Sequence, residues 1–422
     1  MIDHPVLAAS ERFGLRLGLD RIRRFLREFD TPQERYRVVH VGGTNGKGSV
    51  CAMVAEILRH QGFRTGLYTS PHLQRVNERI VVDGEEISDD ALDALLRRIA
   101  ALPRDPQDAP GEPEVAEDPL TYFEILTIAA FVHFAEVGVE VAVVEVGMGG
   151  RLDATNVVRP AVTAITTVGL DHTELLGPDV ASIAGEKAGI LKPDVPAVIG
   201  GVPAEALRVL RTIAQSRGAP LWVYGQDFHT TRDGAAFTWH GPGGVLSGLE
   251  VGMPGFHQVD NAAVAVAVTE CLPLDLQCGL EAVREGLLHA RMAARLEWVT
   301  PDVLVDSAHN ADGAVTLAAY LRSRVPHRPR TLLLGCSREK DVHAIAVLLA
   351  PQVDRVLTTA CAHSRALSPV QVATALEGLS VPVTPAGGVE EALATAQAGD
   401  GEIIVAGSVF LAGAVRDLLG AR

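Results

Sequence analysis

Cysteine is scarce in this sequence, and its few copies are not arranged to bind metal. The 422 residues contain five cysteines, and no two of them form a Cys-x-x-Cys pair. Zinc sites and disulfide frameworks depend on such close, repeated spacings. We therefore expect reduced thiols and a cytoplasmic protein. The five residues are Cys51, Cys271, Cys278, Cys336 and Cys361.

The sequence also lacks a long apolar run and an excess of positive charge, and we expect no leader peptide. No stretch reaches the roughly 18 apolar residues of a membrane helix, and Asp3, Glu11, Arg12 and Arg16 interrupt any apolar N-terminal segment. The formal net charge is −15, whereas non-specific nucleic-acid binding requires a basic surface. We predict no membrane or nucleic-acid partner. Anionic small molecules remain possible ligands, because a basic pocket can form within an acidic protein.

The composition that is present is typical of a folded protein with more than one domain. Hydrophobic residues make up 47% and charged residues 21% of the chain. Runs rich in β-branched residues, many ending in glycine, alternate with helical segments, which predicts an α/β fold. We expect an N-terminal parallel-sheet domain over residues 1–294 and a smaller, Rossmann-like α/β domain over residues 295–422. Residues 221–255 predict a small β-meander, and the Pro-rich, acidic residues 103–118 predict a mobile surface loop.

The segment HVGGTNGKGSV, residues 40–50, resembles a phosphate-binding loop but departs from the usual pattern. Val41 replaces the leading glycine, and an extra glycine separates Lys47 from Ser49. A predicted strand precedes the loop and a predicted helix follows it, as phosphate binding requires. The backbone N–H groups of such a loop converge on phosphates, which Lys47 would neutralise, and the hydroxyl of Ser49 or Thr44 would reach phosphate or Mg²⁺. A plain glycine-rich turn is the less favoured alternative.

Three polar residues follow other predicted strands. Glu145 ends a run of valines, His172 follows AVTAITTVG, and Ser70 follows TGLY. A buried carboxylate is costly unless it is paired or bound to metal, and metal is favoured here over an ion pair. Because parallel strands direct their carboxyl ends to one crevice, we expect these residues to form a magnesium site. Lys187, judged by its local sequence alone, is a solvated surface lysine.

The second domain has its own polar turn after a strand. The segment VDSAHNADGA contains Asp306, His309 and Asn310 between a predicted strand and a predicted helix. These groups are either helix caps or ligand contacts, and composition does not separate the two.

Taken together, these stretches resemble the Mur ligase superfamily and, within it, the folylpolyglutamate and dihydrofolate synthases. The resemblance extends from about residue 20 to residue 415. Two regions depart from the family pattern: Ala294 stands where glycine is common, and Ser307 and Ala311 alter the turn Asp-Gly-Ala-His-Asn-Pro. The matching stretches are HVGGTNGKGSV, GLYTSPHL, VNERI, EVGMGGRLDATN, GLDHTELLG, GEKAGILKP, HQVDNAAVA, RLEW, VDSAHN and AGSVFLAG.

The resemblance implies an acid–amino-acid ligase that uses ATP and two Mg²⁺ ions. Such an enzyme adds L-glutamate to dihydropteroate, to the γ-carboxyl group of tetrahydrofolate, or to both. ATP converts the acceptor carboxylate to an acyl phosphate, which the amine of glutamate then attacks. The implied partners are small molecules (pteroate or folate, L-glutamate and ATP), and we expect a monomer.

The resemblance also implies a role for each matching residue. Lys187 matches a lysine that is carbamylated in the superfamily, which would make it an anionic metal ligand. The implied catalytic residues are Lys47, Lys187 and His172, and the implied metal ligands are Ser70, Glu145, His172 and Lys187. The implied nucleotide contacts are Thr44, Asn45, Gly46, Lys47, Gly48, Ser49, Asn261, Arg295, Asp306 and His309. Weaker candidates are Phe123 and Asp153 for the pterin-bearing substrate and Arg365 for glutamate.

Two other functions compete with this interpretation. A Mur-type peptidoglycan amino-acid ligase would have its own form of phosphate loop and an additional N-terminal domain, neither of which is evident. A non-catalytic nucleotide-binding module would not need Lys47, Glu145, His172, Lys187 and His309 together.

Overall fold

The structure, a computed structural model, describes residues 4–11, 13–14, 16–102, 119–324, 328–361 and 363–421. The loop predicted over residues 103–118 lies outside these ranges. The chain divides into two compact units, the first comprising Met1–His72, Val76–Glu250 and Asp260–Ala290. The second unit comprises Leu73–Arg75, Val251–Val259 and Arg291–Arg422. No helix in the described ranges is long and apolar enough to cross a membrane.

An eight-stranded sheet forms the centre of the first unit. Its inner strands are short runs of valine, isoleucine and alanine that are buried on both faces, as in other parallel sheets covered by helices. The strands are β1 (Arg37–Gly42), β2 (Thr65–Tyr68), β3 (Ile80–Val82), β4 (Glu85–Glu86), β5 (Val141–Glu145), β6 (Val162–Ile165), β7 (Ala197–Ile199) and β8 (Leu221–Val223). Their order is β4-β3-β2-β5-β1-β6-β7-β8, and only β3 and β4 run antiparallel to their neighbours.

The register of this sheet determines where the functional loops lie. Strand β1 pairs in parallel with β5 on one side and with β6 on the other, so that Val41 lies opposite Glu145 and Gly42 opposite Ile165. The segments that follow these three strands therefore emerge side by side at one edge of the sheet.

Helices cover the first unit's sheet, and their ends carry ordinary capping signals. Helix α3 (Lys47–Gln61) is followed by Gly62, whose φ of 100° is the left-handed conformation that glycine adopts readily. Helix α5 begins with a capping box between Thr121 and Glu124. The helices are α1 (Pro5–Glu11), α2 (Asp20–Arg27), α3 (Lys47–Gln61), α4 (Asp89–Ala100), α5 (Tyr122–Glu136), α6 (Thr173–Leu176), α7 (Val180–Lys187), α8 (Ala204–Ser216), α9 (His257–Glu270) and α10 (Leu280–His289).

A small antiparallel sheet follows the main one, but it begins later than the sequence predicts. Its strands are β9 (His229–Asp233), β10 (Ala236–Gly241) and β11 (Gly244–Leu249), in the order β11-β10-β9. The sequence predicts that the meander begins at residue 221. This start is wrong, because β8 pairs in parallel with β7 and belongs to the main sheet. A three-residue strand carries too little periodicity to show which sheet it joins.

The second unit is built on a six-stranded sheet in the order β12-β13-β17-β14-β15-β16. Five strands are parallel as predicted, and β12, which the sequence analysis did not identify, adds an antiparallel edge. The strands are β12 (Glu297–Thr300), β13 (Val303–Val305), β14 (Arg330–Leu334), β15 (Arg355–Ala360), β16 (Val383–Gly388) and β17 (Glu402–Ala406). The helices are α11 (Ala311–Ser323), α12 (Val342–Leu349), α13 (Pro369–Ala375), α14 (Val389–Gln397) and α15 (Val409–Leu418). The predicted two-domain α/β fold is confirmed.

Candidate active site

Two glycines of the loop between β1 and α3 occupy positions that no other residue fits. A Cβ atom on Gly43, where φ is 148°, would lie 2.0 Å from Oγ1 of Thr166. A Cβ atom on Gly46, where φ is 83°, would lie 2.5 Å from Oδ1 of Asn261. The loop is thus pressed against the segment after β6 and against α9, which brings the predicted adenine contact Asn261 beside it.

Two N–H groups of the loop donate hydrogen bonds to the segment after β6, so they do not point toward a phosphate. The N–H of Thr44 donates to the carbonyl of Thr167 at 2.9 Å, and the N–H of Asn45 donates to Oγ1 of Thr167 at 2.9 Å. The N–H of Gly169 donates to the hydroxyl oxygen of Thr44 at 3.0 Å. The first hydrogen bond within α3 joins the N–H of Val50 to the carbonyl of Gly46. The N–H groups of Thr44 and Asn45 are therefore directed at Thr167, and the predicted phosphate contacts include the first turn of α3, where helix geometry leaves N–H groups without a partner in the helix.

Lys47, Glu145 and Ser70 lie together at the carboxyl edge of the sheet. Nζ of Lys47 is 3.9 Å from Oε1 of Glu145 and donates to the carbonyl of Thr44 at 3.1 Å. The other carboxylate oxygen of Glu145 accepts the N–H of Ser70 at 3.1 Å. Glu145 is 3% exposed, and Lys47 and the N–H of Ser70 offset the charge of its carboxylate. Mg²⁺ prefers carboxylate and hydroxyl oxygens as ligands, so Glu145 and Ser70 fit the predicted ion.

Lys187 is not the surface residue that its local sequence indicates. It is 4% exposed, and its Nζ donates to the carbonyl of Gly43 at 2.8 Å. Burial, followed by the charge of Lys47, lowers the pKa of Lys187 to about 7. The surface interpretation fails because α7 packs its last turn toward the apolar cluster that contains Ile183 and Ala184, which the short segment does not reveal.

His172 lies in the same region, on the loop after β6. It precedes α6 with a φ of 51°, and its N–H donates to Oδ1 of Asp171 at 2.9 Å. Its ring Nε2 lies 3.9 Å from that oxygen. The charge of Asp171 acts on Lys187 by raising its pKa, against the dominant effect of burial. Asp171 was not singled out from the sequence, although the motif GLDHTELLG contains it.

No group of three His, Cys, Asp or Glu side chains is placed to hold a metal ion within the described part of the chain. The predicted ligand set contains only two such residues, Glu145 and His172, beside Ser70 and Lys187. The set remains a prediction.

A cavity of about 240 Å³ adjoins this edge of the sheet. Phe123 and Asp153, the weaker substrate candidates, both line it, as does Ser70. A Cβ atom on Gly147 would lie 2.5 Å from Cζ of Phe123, so only glycine at this position leaves room for the ring. The remaining lining residues are Gly14, Arg16, Leu17, Gly18, Pro71, Arg79, Thr121, Glu124, Met148, Leu152 and Ala154.

In the second unit, Asp306 is a buried carboxylate held by backbone groups. Its Oδ2 accepts the N–H of Leu296 and its Oδ1 accepts that of Ala308, both at 2.8 Å. Burial raises the pKa of Asp306, while Arg295 acts in the opposite direction. Asn310 caps α11 by accepting the N–H of Gly313 at 2.9 Å, which supports the capping alternative for this residue.

The other predicted residues of the second unit lie in different settings. Arg295 stands between Ala294 and Leu296, two non-glycine residues with φ values of 54° and 49°. Nδ1 of His309 lies 2.9 Å from the carbonyl of Ser307. Nη1 of Arg365 lies 3.0 Å from Glu339 at the surface.

Comparisons with known proteins agree with this architecture. Residues 41–269 match the Mur ligase middle domain, and residues 294–409 match the Mur ligase glutamate ligase domain. The folylpolyglutamate synthase of Lacticaseibacillus casei is 35% identical over 94% of this chain and 94% of its own length. The dihydrofolate synthase/folylpolyglutamate synthase of Mycobacterium tuberculosis is 38% identical over 96% of this chain and 90% of its own length.

Solved structures of similar proteins cover nearly the whole chain. Mycobacterium tuberculosis folylpolyglutamate synthase complexed with ADP has a TM-score of 0.91, with 35% identity over 99% of both chains. Escherichia coli FolC in complex with DHPP and ADP has a TM-score of 0.87, with 29% identity over 99% of this chain and 98% of its own. The bifunctional folylpolyglutamate synthase/dihydrofolate synthase of Yersinia pestis, complexed with AMPPNP and Mn ion, has a TM-score of 0.85, with 30% identity over 98% of both chains. The predicted resemblance is confirmed: this chain belongs to the folylpolyglutamate and dihydrofolate synthase family of the Mur ligases.

Proposed function

We propose that this chain is an ATP-dependent ligase that joins L-glutamate to dihydropteroate and to the γ-carboxyl group of tetrahydrofolates, releasing ADP and phosphate. The relatives that match over nearly its full length are named for these two activities. Similar proteins have been solved with ADP and with AMPPNP and Mn ion, which supports ATP and a divalent metal as cofactors.

The position of Ser70 is the observation that carries this proposal. Its N–H donates to Glu145, which lies beside Lys47 of the phosphate loop. Ser70 also lines the cavity that contains Phe123 and Asp153. An acceptor held in that cavity would place its carboxylate within reach of the terminal phosphate of ATP.

The chemistry follows from what an amide ligation needs. A carboxylate resists attack by an amine because oxide is a poor leaving group, whereas an acyl phosphate loses phosphate readily. Lys47 and the first turn of α3 would hold the phosphates, since phosphoryl transfer depends on positioning and charge compensation. Bound Mg²⁺ would supply further charge compensation at Glu145, Ser70 and His172. We propose two ions, with a carbamylated Lys187 as a ligand of the second.

We propose the following division of labour along the chain. Residues 1–294 would bind ATP and the acceptor, with Asn261 on the adenine side. Residues 295–422 would contribute Arg295, Asp306 and His309 to the nucleotide and Arg365 to glutamate. One chain supplies every one of these groups, so we propose that it acts as a monomer.

Product analysis tests this function directly. The protein is incubated with ATP, Mg²⁺, glutamate and either dihydropteroate or tetrahydrofolate, and the pterin products and ADP are separated by chromatography. We expect ADP to form only when a pterin acceptor is present, and turnover to continue only with glutamate. Steady ATP hydrolysis without either substrate contradicts the ligase, whereas glutamate addition to tetrahydrofolate alone contradicts only the first of the two activities.

A further inference from the structure

A chain of buried hydrogen bonds leads from the cavity into the centre of the sheet. Asp153 lines the cavity. Its Oδ1 lies 2.5 Å from Oγ1 of Thr155. Oγ1 of Thr155 in turn lies 2.8 Å from Nε2 of His40, in the middle of β1. His40 and Thr155 are fully buried and Asp153 is 7% exposed.

The direction of these hydrogen bonds is fixed by the groups that share them. Burial raises the pKa of Asp153, and the N–H groups that it accepts, from Thr155 at 3.0 Å and from Met148 at 2.9 Å, act in the opposite direction. Oδ1 of Asp153 accepts the N–H of Thr155, and the hydroxyl of Thr155 donates to this same oxygen. Because a hydroxyl has a single hydrogen, its oxygen must accept from His40. His40 is therefore the tautomer with hydrogen on Nε2.

Stability does not account for a histidine at this position. Nδ1 of His40 is buried and has no hydrogen-bond partner among the described residues, and an unsatisfied buried acceptor costs free energy of folding. Burial, followed by the charge of Lys192, lowers the pKa of His40 to about 3, so the ring is neutral at physiological pH. An apolar residue of similar size would satisfy the sheet equally well.

We propose that His40 is a positioning residue for acceptor recognition: it holds the Thr155 hydroxyl on Asp153, so that Asp153 faces the cavity as a fixed hydrogen-bond acceptor. A pre-oriented carboxyl group whose oxygens act as acceptors selects ligands that offer N–H donors, and the amino group and ring N–H groups of a reduced pterin are such donors. This inference rests on the proposed function. It adds a residue that never touches the substrate.

Three variants test the inference through kinetics and thermal stability. His40→Leu removes the donor and keeps the volume, whereas His40→Gln keeps an N–H donor at about the reach of Nε2. Val38→Ala is the matched control, because Val38 lies two residues away on the same face of β1 and is buried in the apolar core. KM for the pterin acceptor, KM for ATP, kcat and Tm are measured for each variant.

We expect His40→Leu to raise KM for the acceptor up to about tenfold, the effect of losing one hydrogen bond, with KM for ATP and kcat within about twofold. Its Tm should equal or exceed that of the wild type, since the unsatisfied Nδ1 is gone. His40→Gln should restore KM, and Val38→Ala should lower Tm without changing KM. An unchanged acceptor KM in His40→Leu, or a matching loss in both His40 variants together with a lower Tm, overturns the inference alone. A wild-type protein that ligates neither acceptor overturns the proposed function and this inference with it.

Discussion

The side-chain nitrogen of Lys187 lies 2.8 Å from the carbonyl oxygen of Gly43, inside the loop that leads into α3. The side chain is buried, and its pKa is lowered to about 7 by burial and then by Lys47. At neutral pH a large fraction of Lys187 is therefore an uncharged amine, the form that reacts with carbon dioxide. The structure thus places a buried amine of lowered pKa against the loop that leads into α3.

The first prediction concerns carbamylation of this lysine. In ¹³C-bicarbonate the wild type should show a carbamate carbon signal by NMR that Lys187→Ala lacks. Activity of Lys187→Ala should fall on the order of 100-fold, because a group that compensates transition-state charge is removed, and acetate should restore part of it. Lys192→Met is the control, since the pKa of Lys192 is also lowered by burial, to about 8, and its loss should leave the Lys187 signal in place. Full activity in Lys187→Ala excludes the residue from the mechanism.

The second prediction concerns the pH dependence of stability. Lys187 has a pKa of about 7 in the folded protein and about 10.4 when unfolded. Between these pH values Lys187 is protonated in the unfolded chain but not in the folded protein, so the free energy of unfolding rises with pH. Below pH 7 the folded protein bears the full cost of burying the charged lysine. Lys187→Met should therefore gain stability relative to the wild type at pH 6 and lose that advantage by pH 10. Urea unfolding in carbonate-free buffer measures this difference, and a difference independent of pH would contradict the lowered pKa.

The third prediction concerns the magnesium ligands. Glu145→Gln keeps an oxygen for the N–H of Ser70 but removes the negative charge, and His172→Ala removes the imidazole. Each change should lower kcat on the order of 100-fold and shift the magnesium dependence to higher concentration, because the ions act on the transition state. Glu186→Gln serves as control, since Glu186 pairs with Arg151 at the surface. Normal magnesium titrations in both ligand variants would refute the predicted metal set.

The fourth prediction compares two glycines with positive φ. Gly46→Ala places a Cβ atom 2.5 Å from Oδ1 of Asn261, whereas a Cβ atom on Gly62, where φ is 100°, meets nothing within 4 Å. Gly62→Ala should lower stability by about 1 kcal/mol, the cost of the left-handed conformation for alanine, and Gly46→Ala by more, because Asn261 must also shift. Only Gly46→Ala should raise KM for ATP, by at least about tenfold. An equal KM for ATP in the two variants would show that Asn261 and the loop do not bind the nucleotide.

The order of residues along the chain predicts the elements and most of the motifs. Alternation of β-branched strands with helices predicts two parallel-sheet units, because burial on both faces requires each strand to be a short continuous apolar run. The glycines of HVGGTNGKGSV predict the tight loop, since only glycine tolerates the approach of Thr166 and Asn261. The family motifs identify Lys47 and Glu145 as neighbours in function, although they are 98 residues apart in the chain.

The burial and the hydrogen-bond partners of individual residues could not be predicted in this way, because they depend on which distant segments meet in the folded chain. Lys187 looks like a surface residue until α7 is packed, and burial then changes its pKa. The N–H groups of Thr44 and Asn45 are used by Thr167, which no local pattern records. His40 is one more residue of a buried strand in the sequence. It gains a role only because strand β1 passes beneath Thr155, at the distance of a hydrogen bond.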